Sequence, residues 1–251
     1  MEYHYRAFDR TKLSPDPLEF PHRFSNPEEI ELVAFISSVF AYGNVRQIGN
    51  TLEGIFRIME GSPLGYIHKA KKERIREDFG GMKHRFYSPE DITEFFLMLR
   101  DVYKDGLSVR LVFRKYYEEA GGDLKGAING FHEFILGRIA ENGRVTRGIK
   151  FMFPLPEKGS ACKRVNLFLR WMVRMDGLDF GFWDFIPTSE LLIPVDTHIA
   201  RIAKSLKLTK LKNVSWKMAE EITENLKRYD KDDPVKFDFA LCHIGIRKKK
   251  F

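Results

Sequence analysis

Cysteine is scarce in this sequence. Its 251 residues include two, Cys162 and Cys242, which are too few for a disulfide framework or for a cysteine-only zinc or iron–sulfur site. Sparse cysteine is typical of proteins from reducing compartments. We therefore expect a cytoplasmic protein that holds no iron–sulfur cluster and no other cofactor.

Long apolar runs and strand patterns are also missing. No stretch is apolar over the length that a membrane span needs, and the opening residues MEYHYRAFDR lack the apolar segment of a signal peptide. Alternating strand patterns with hairpin turns are scarce, and no internal repeat is evident. These absences exclude a membrane-spanning protein and a repeat array, and we expect no membrane partner.

The charge balance favours basic residues. Lys and Arg number 42 against 35 Asp and Glu, which gives a formal net charge of +7. An excess of positive charge favours a polyanionic partner such as nucleic acid. Many basic proteins bind no nucleic acid, so the composition alone leaves the partner open.

Helix signals dominate the rest of the sequence. Asn26 is placed as an N-cap before Pro27 at the first helical position. A break at Gly43 separates this helix from the next, and Ser88 with Asp91 forms a capping box before another. Further helical segments are SVRLVFRKYYEEA, LKGAINGFHEFILGRIA, DTHIARIAKSLKL, SWKMAEEITENLKRY and DDPVKFDFALCHIGIRKKK. We predict an all-α fold of roughly ten or more helices.

The segment GSACKRVNLFLRWMVR, residues 159–174, has an unusual N-terminus. Its apolar residues Val165, Phe168, Leu169 and Met172 have helical spacing and predict a buried face. Lys163, Arg170 and Arg174 share another face, which an ordinary interpretation leaves as a solvated basic surface. The lysine lies in the first turn, although the helix dipole is positive there and favours an anion.

Small residues precede this lysine. Backbone N–H groups at such a helix start can bind phosphate, and the turn FPLPEKGS joins a short helix, VTRGIKFMF, to the longer one. This arrangement predicts a helix–hairpin–helix over about residues 145–174 that holds DNA at its turn. The candidate DNA contacts are Lys158, Gly159, Ser160, Ala161, Arg164, Arg170 and His198. Lys210, Lys212 and the tail RKKKF are further candidates for phosphate contacts or, equally, solvated residues.

A second segment, LLIPVDTHIARIAKSLKL, places Asp196 before a helix. Aspartate is a favoured N-cap, and one carboxylate oxygen can cap the helix while the other faces a substrate. His198 has no second histidine or cysteine at ligand spacing, so we interpret it as a surface histidine rather than a metal ligand. A metal-dependent hydrolase at these two residues therefore lacks ligands.

Taken together, GSACKRVNLFLR and IPVDTHIARIA resemble the helix–hairpin–helix DNA glycosylase superfamily, which includes endonuclease III and the 8-oxoguanine glycosylases. The matching positions are Gly159, Lys163, Asn166 and Leu169 in the first motif, and 195–198 with Arg201 in the second. More narrowly, residues 159–246 look like an uncharacterised bacterial and archaeal family distantly related to those enzymes. The resemblance implies a six-helix barrel over 31–186, a second helical domain from 1–30 with 187–251, and a substrate cleft between them.

The sequence departs from that superfamily in three respects. The turn LPEKGS lacks the first hairpin glycine, and the four-cysteine cluster of endonuclease III is absent. Lys163 and Asp196 are 33 positions apart, which is longer than in endonuclease III and resembles the archaeal class of 8-oxoguanine glycosylase.

The resemblance also implies a reaction. Lys163 would be the amine nucleophile and Asp196 the assisting carboxylate of a DNA glycosylase and abasic-site lyase, acting on an oxidised purine such as 8-oxoguanine in damaged duplex DNA. Burial, Arg164, Arg170 and the helix N-terminus are expected to lower the pKa of Lys163. The candidate base-pocket and wedge residues are Tyr42, Asn44, Gln47, Phe182 and Trp183.

A second hypothesis is a non-catalytic protein that uses the hairpin to bind DNA or RNA. The paired lysine and aspartate favour the enzyme, since a carboxylate near DNA repels phosphate. We expect a monomer. The excised base, its opposite base and the choice between DNA and RNA are open at this stage.

Overall fold

The computed structural model describes Tyr5 and residues 10–246, apart from the side chains of residues 12 and 243–246. Its described residues confirm the predicted all-α fold, with isolated bridges at His84–Tyr87 and Met175–Phe180 in place of β-strands. The α-helices are α1 Pro27–Phe40, α2 Val45–Ile58, α3 Pro63–Lys69, α4 Lys72–Phe79, α5 Pro89–Lys104, α6 Val109–Glu119, α7 Leu124–Asn142, α8 Arg147–Met152, α9 Lys163–Val173, α10 Thr197–Ser205, α11 Trp216–Leu226 and α12 Asp238–Ile246. None of these helices is long and apolar enough to cross a membrane.

The chain divides into two compact units. The central unit is Pro15–Pro154, and the terminal unit combines Met1–Ser14 with Leu155–Phe251. These boundaries differ from the expected division into 31–186 and the two ends. The difference arises because α9 carries arginines whose acidic partners lie in the C-terminal segment, so the helix packs within the terminal unit.

The helices of the central unit begin where the sequence signals place them. Asn26 accepts hydrogen bonds from the backbone of Glu28 and Glu29 at the start of α1, and Ser88 with Asp91 forms the predicted capping box of α5. Apolar faces then meet in an aromatic core. Phe35 of α1 lies 6.1 Å from Phe95, 5.8 Å from Phe131 and 6.4 Å from Phe153 between ring centroids. Such rings at edge-to-face and offset geometries contribute beyond the area that they bury.

Asp91 connects two helix N-termini in this unit. One carboxylate oxygen accepts from the Ser88 backbone at 2.7 Å, and the other accepts from the Thr146 hydroxyl. Thr146 itself caps α8 through the backbone N–H of Ile149. Gly148 leaves room for this arrangement, because a Cβ there would lie 2.0 Å from Asp91 Oδ2.

Substituting Gly148→Ala is therefore expected to lower the free energy of unfolding by about 1–3 kcal/mol, since the new methyl group collides with a buried, hydrogen-bonded carboxylate. Gly137→Ala is the matched control, because a Cβ at this position in α7 meets nothing within 4 Å. That control is expected to gain about 0.5–1 kcal/mol through helix propensity. Urea denaturation followed by circular dichroism measures both, and equal effects at the two glycines would contradict the steric argument.

Candidate functional site

Lys163 and Asp196 meet in the terminal unit. Lys163 is the first residue of α9, and Asp196 immediately precedes α10. The Lys163 Nζ lies 3.0 Å from Asp196 Oδ2. The other oxygen, Oδ1, accepts from the backbone N–H groups of His198 at 2.8 Å and Ile199 at 2.9 Å. One oxygen therefore caps the helix, as predicted, while the other contacts the amine of Lys163. That the second oxygen faces a substrate stays a prediction.

Both side chains of the pair are partly accessible. The side chain of Lys163 is 33% exposed and that of Asp196 is 25% exposed. Burial raises the pKa of Asp196. The charge of Lys163 and the hydrogen bond from the N–H of Ile199 lower the pKa by more than burial raises it, so the pKa lies below its ordinary value. The resting pair is therefore an ion pair that a small molecule or a strand can reach.

The pKa of Lys163 is raised, which corrects the expectation of a less basic lysine. Desolvation lowers its pKa, but electrostatic interactions with Asp196, Cys242 and Asp238 raise it, and a hydrogen bond from the ammonium to Asp196 adds to this effect. The expected positive neighbour Arg170 forms an ion pair with Asp238. The amine is consequently protonated near neutral pH, where even an unperturbed lysine is neutral in only about one molecule in 2,500.

Asp238 and Cys242 of α12 are electrostatic neighbours of Lys163 that the sequence did not single out. Burial raises the pKa of Asp238 while Arg170 opposes that shift. Neither residue has a distinctive spacing from Lys163, since they are about 75–79 positions away. Only the packing of α12 in the terminal unit could have identified them.

Arg170 and Arg174 belong to a buried charge network rather than to a basic surface. Arg170 pairs with Asp238 and lies 3.3 Å from Asp179, and its side chain is 3% exposed. Arg174 contacts Asp179 and forms two hydrogen bonds to Asp233, at 2.7 and 2.9 Å. The structure contradicts the prediction that Arg170 contacts DNA, because its guanidinium is enclosed and neutralised by aspartates.

The turn before α9 is held by internal hydrogen bonds. The Gly159 N–H donates to the Pro156 carbonyl at 2.9 Å, and the Gly159 carbonyl accepts from the Trp216 backbone at 3.0 Å. Ser160 Oγ accepts from the Cys162 N–H at 3.2 Å, and Ala161 is buried. The Gly159 N–H is thus used within the turn, and α9 begins at Lys163, later than predicted. Phosphate binding at Gly159, Ser160 and Ala161 stays a prediction.

The remaining surface candidates are exposed or half-buried. Lys158 and His198 are exposed, and the Nδ1 of His198 lies 3.5 Å from the guanidinium of Arg201. Arg164 is half-buried in the first turn of α9. Lys210 and Lys212 are exposed, whereas the tail RKKKF lies outside the described residues.

Cys162 precedes Lys163 in a left-handed backbone conformation, with φ of 46°. This conformation is uncommon for a residue with a side chain, and the thiol provides no side-chain cap for α9. Burial raises the pKa of Cys162 to about 12, against smaller opposing effects of Ser160 and Arg164. The thiol is therefore protonated at neutral pH and is a poor nucleophile.

The aromatic candidates divide between core and surface. Trp183 is fully buried, with its ring 5.1 Å from Phe168 and 5.5 Å from Phe185. The structure contradicts its assignment to a base pocket, because these contacts make it part of the terminal unit's core. Phe182 is half-buried beside Phe180, at 5.6 Å.

The three early wedge candidates lie in the central unit. Tyr42 is half-buried, and its ring lies 4.8 Å from that of Phe151. Asn44 is the N-cap of α2, with Oδ1 accepting from Arg46 at 2.9 Å, and Gln47 is exposed in its first turn. Among the described residues, no group of three or more His, Cys, Asp or Glu is placed to hold a metal ion.

The pH dependence of the free energy of unfolding measures the contribution of the Lys163–Asp196 ion pair. Asp196→Asn keeps an N-cap residue but removes the charge, and is expected to lower the free energy of unfolding at pH 7 by about 1–2 kcal/mol. The Asp196 contribution is present above its unfolded pKa, near 3.8, and is lost as pH falls through its lower folded pKa. The Lys163 contribution is lost only as pH rises past its raised folded pKa, above 10.5.

Denaturant unfolding of both proteins at pH 3, 5, 7 and 9 provides the measurement. The difference between wild type and Asp196→Asn should be constant from pH 5 to 9 and shrink by pH 3. A difference that stays the same from pH 7 to pH 3 would show that the amide disturbs the cap rather than the charge.

The buried network gives a second stability prediction. Asp179 contacts both arginines. Asp179→Asn removes this shared, buried carboxylate, which leaves Arg170 with Asp238 and Arg174 with Asp176 and Asp233. We expect a loss of about 3 kcal/mol in the free energy of unfolding at pH 7. The control is Asp105→Asn, which removes the 52% exposed partner of Arg138 and should cost under about 1 kcal/mol. Similar losses of unfolding free energy for both variants in denaturant titrations would contradict the prediction that a buried ion pair contributes more to stability than an exposed one.

Comparison with known proteins corrects one prediction. A family model described as "Protein of unknown function (DUF2400)" matches residues 16–247. The predicted relationship to the helix–hairpin–helix DNA glycosylases was wrong, since the family model that matches is this one and not a glycosylase family. No curated protein and no solved structure matches. Because the match covers most of the sequence, the chain belongs to the DUF2400 family.

Proposed function

We propose that the terminal unit carries a lysine-based glycosylase and abasic-site lyase that acts on damaged DNA. The observation that carries the proposal is the 3.0 Å contact between Lys163 Nζ and Asp196 Oδ2 in a partly exposed position. An amine beside a carboxylate that is itself held by two backbone N–H groups is an arrangement suited to covalent catalysis with proton transfer.

The proposed reaction begins at C1′ of the damaged nucleotide. Lys163 Nζ forms a bond to C1′ as the bond from C1′ to the base breaks, and the base leaves with the electron pair and takes up a proton. The sugar then opens to give an imine between Nζ and C1′. Loss of a proton from C2′ expels the 3′ phosphate with its electron pair, which cleaves the strand. On an existing abasic site, the same imine forms from the aldehyde with loss of water.

Asp196 has two tasks in this scheme. Its Oδ2 accepts a proton from the Lys163 ammonium, because only the neutral amine can attack. After that transfer it returns a proton to the leaving group. Desolvation already acts to lower the pKa of Lys163. A sugar bound over the pair would exclude more water, which disfavours the charged ammonium and carboxylate and favours transfer of the proton to Asp196.

Nucleic acid fits the site as a substrate class for electrostatic reasons. The chain has a net charge of +7, and the exposed Lys158 and the half-buried Arg164 flank the position of Lys163 in the sequence. A phosphate backbone would be attracted to this region and would bring C1′ of one nucleotide toward the amine. An oxidised purine such as 8-oxoguanine is the first lesion to test.

A second candidate function is nucleic-acid binding without catalysis. The raised pKa of Lys163 suits an ion pair that joins the starts of α9 and α10 as well as it suits a resting enzyme. In that case, the lysine would have no covalent role and its loss would affect stability alone.

Borohydride trapping separates the two functions. Full-length protein is incubated with labelled duplexes that carry an abasic site or 8-oxoguanine, and sodium borohydride reduces any imine to a stable amine. We expect a covalent protein–DNA adduct with wild type, none with Lys163→Ala, and at least tenfold less with Asp196→Asn, since removing a general acid–base typically costs 10²–10⁴-fold.

Lys217→Ala is the matched control, because Lys217 is an exposed lysine on α11 of the same unit. Its adduct should equal that of wild type. An adduct that persists in Lys163→Ala would assign the imine to another amine. The absence of an adduct on every lesion, with DNA still bound, would overturn the catalytic proposal and leave the binding function.

A further inference from the structure

Three aromatic rings form an exposed patch on the central unit, away from Lys163 in the sequence. The aromatic patch consists of Tyr42, Phe86 and Phe151, with centroids 4.8 Å apart for Tyr42–Phe151, 5.9 Å for Tyr42–Phe86 and 6.0 Å for Phe86–Phe151. Phe86 is 66% exposed and Phe151 is 38% exposed. Clustered exposed aromatics on a folded domain commonly mark a binding surface.

Two segments that carry the aromatic patch, those of Tyr42 and Phe86, are connected by hydrogen bonds. His84 is buried, and its ring nitrogens lie 2.9 Å from Thr51 Oγ1 and 3.1 Å from the Tyr42 carbonyl. His84 and Tyr87 exchange backbone hydrogen bonds across the turn that presents Phe86. The Tyr87 hydroxyl donates to the Val39 carbonyl at 3.2 Å. The rings are thus held before any ligand arrives, which lowers the entropic cost of binding.

Arg85 is placed against these rings at a conformational cost. Its backbone φ is +53°, and its guanidinium carbon lies 4.8 Å from the Tyr42 centroid and 5.9 Å from that of Phe86. Gly43, with φ of +110°, leaves the space that the Arg85 side chain fills, because a Cβ there would be 2.4 Å from Arg85 Cδ. Strained backbone of this kind is concentrated at functional sites.

The charged residues that adjoin the aromatic patch in the sequence are all basic. Within three residues of its rings, the chain carries Lys83, Arg85 and Lys150, all exposed, and no Asp or Glu. Flat apolar surface combined with positive charge matches a chain of unstacked bases joined by phosphates. A duplex hides its base faces, so the unpaired strand is the form that this surface can bind.

We propose that the aromatic patch binds single-stranded nucleic acid, with bases stacked on Phe86 and Phe151 and phosphate held by Arg85. This binding site lies wholly within the central unit and does not depend on the proposed lyase at Lys163. It would let the protein hold an unpaired segment whether or not the terminal unit is catalytic.

Fluorescence anisotropy with a fluorescein-labelled 15-nucleotide oligothymidylate tests the proposal on the full chain. We expect Phe86→Ala to weaken binding about tenfold, as is typical for loss of one stacked base, with an unchanged salt dependence. Arg85→Ala should instead reduce the slope of log K against log salt by about 0.7, the value for one phosphate on a single strand. The matched control is Leu111→Ala, which removes a 51% exposed apolar side chain elsewhere in the unit and should bind like wild type.

Several outcomes would overturn the proposal. These are no binding by wild type, equal binding by Phe86→Ala and wild type, and equal losses in Phe86→Ala and Leu111→Ala. Binding to phosphatidylserine vesicles that Phe86→Ala abolishes, with no binding to the oligonucleotide, would assign the surface to membranes instead. Thermal melts identify any variant that unfolds, and Phe86→Leu, which keeps apolar bulk but loses the aromatic face, then replaces Phe86→Ala. Phe86-dependent binding of the oligonucleotide without any borohydride adduct would reject the lyase and keep this proposal, so the two failures are distinguishable.

Discussion

Two arginines, Arg170 in α9 and Arg174 directly after its last residue, impose the main electrostatic constraint on the terminal unit. Arg170 and Arg174 are 2–3% exposed, and a buried guanidinium without counter-charge is strongly unfavourable. Asp179 contacts both arginines, while Asp233 and Asp238 come from the C-terminal segment. Satisfying the two guanidinium groups therefore brings together α9, the segment that follows it and the start of α12.

The candidate site is a consequence of that constraint. Once α9 and α12 are joined through Arg170 and Asp238, Lys163 lies at the start of a fixed helix with Asp238 among its electrostatic neighbours. Asp196 is fixed independently by capping α10. The ion pair thus joins two groups whose positions are already determined by backbone structure, which is the kind of rigidity that catalysis requires. The same rigidity would also suit an ion pair that only stabilises the fold, and a covalent adduct with DNA is what distinguishes the two roles.

The central unit has a different basis. Its core includes a cluster of phenylalanines around Phe35, and its polar contacts include helix caps such as the one shared by Ser88, Asp91 and Thr146. On its surface, the exposed aromatic patch lies beside two turn residues with positive φ, Gly43 and Arg85. A cluster of buried ion pairs organises the interior of the terminal unit, whereas the buried Asp91 of the central unit accepts hydrogen bonds from Ser88 and Thr146.

Local features were readable from the sequence because they depend on neighbours within about one helical turn. The all-α class, the caps at Asn26 and Asp196, the Ser88 capping box and the buried stripe of α9 all belong to this group, and the structure confirms them. The short motifs around Lys163 and Asp196 were misleading about ancestry, since matching a few positions does not establish a family. Tertiary structure decided the rest: the arginines of α9 turned inward because acids distant in sequence meet them there, and the neighbouring acids raised the pKa of Lys163. Burial and ion pairing between residues distant in sequence depend on three-dimensional packing. Helical periodicity shows which residues share a helix face, but it does not identify the distant side chain that pairs with a buried charge.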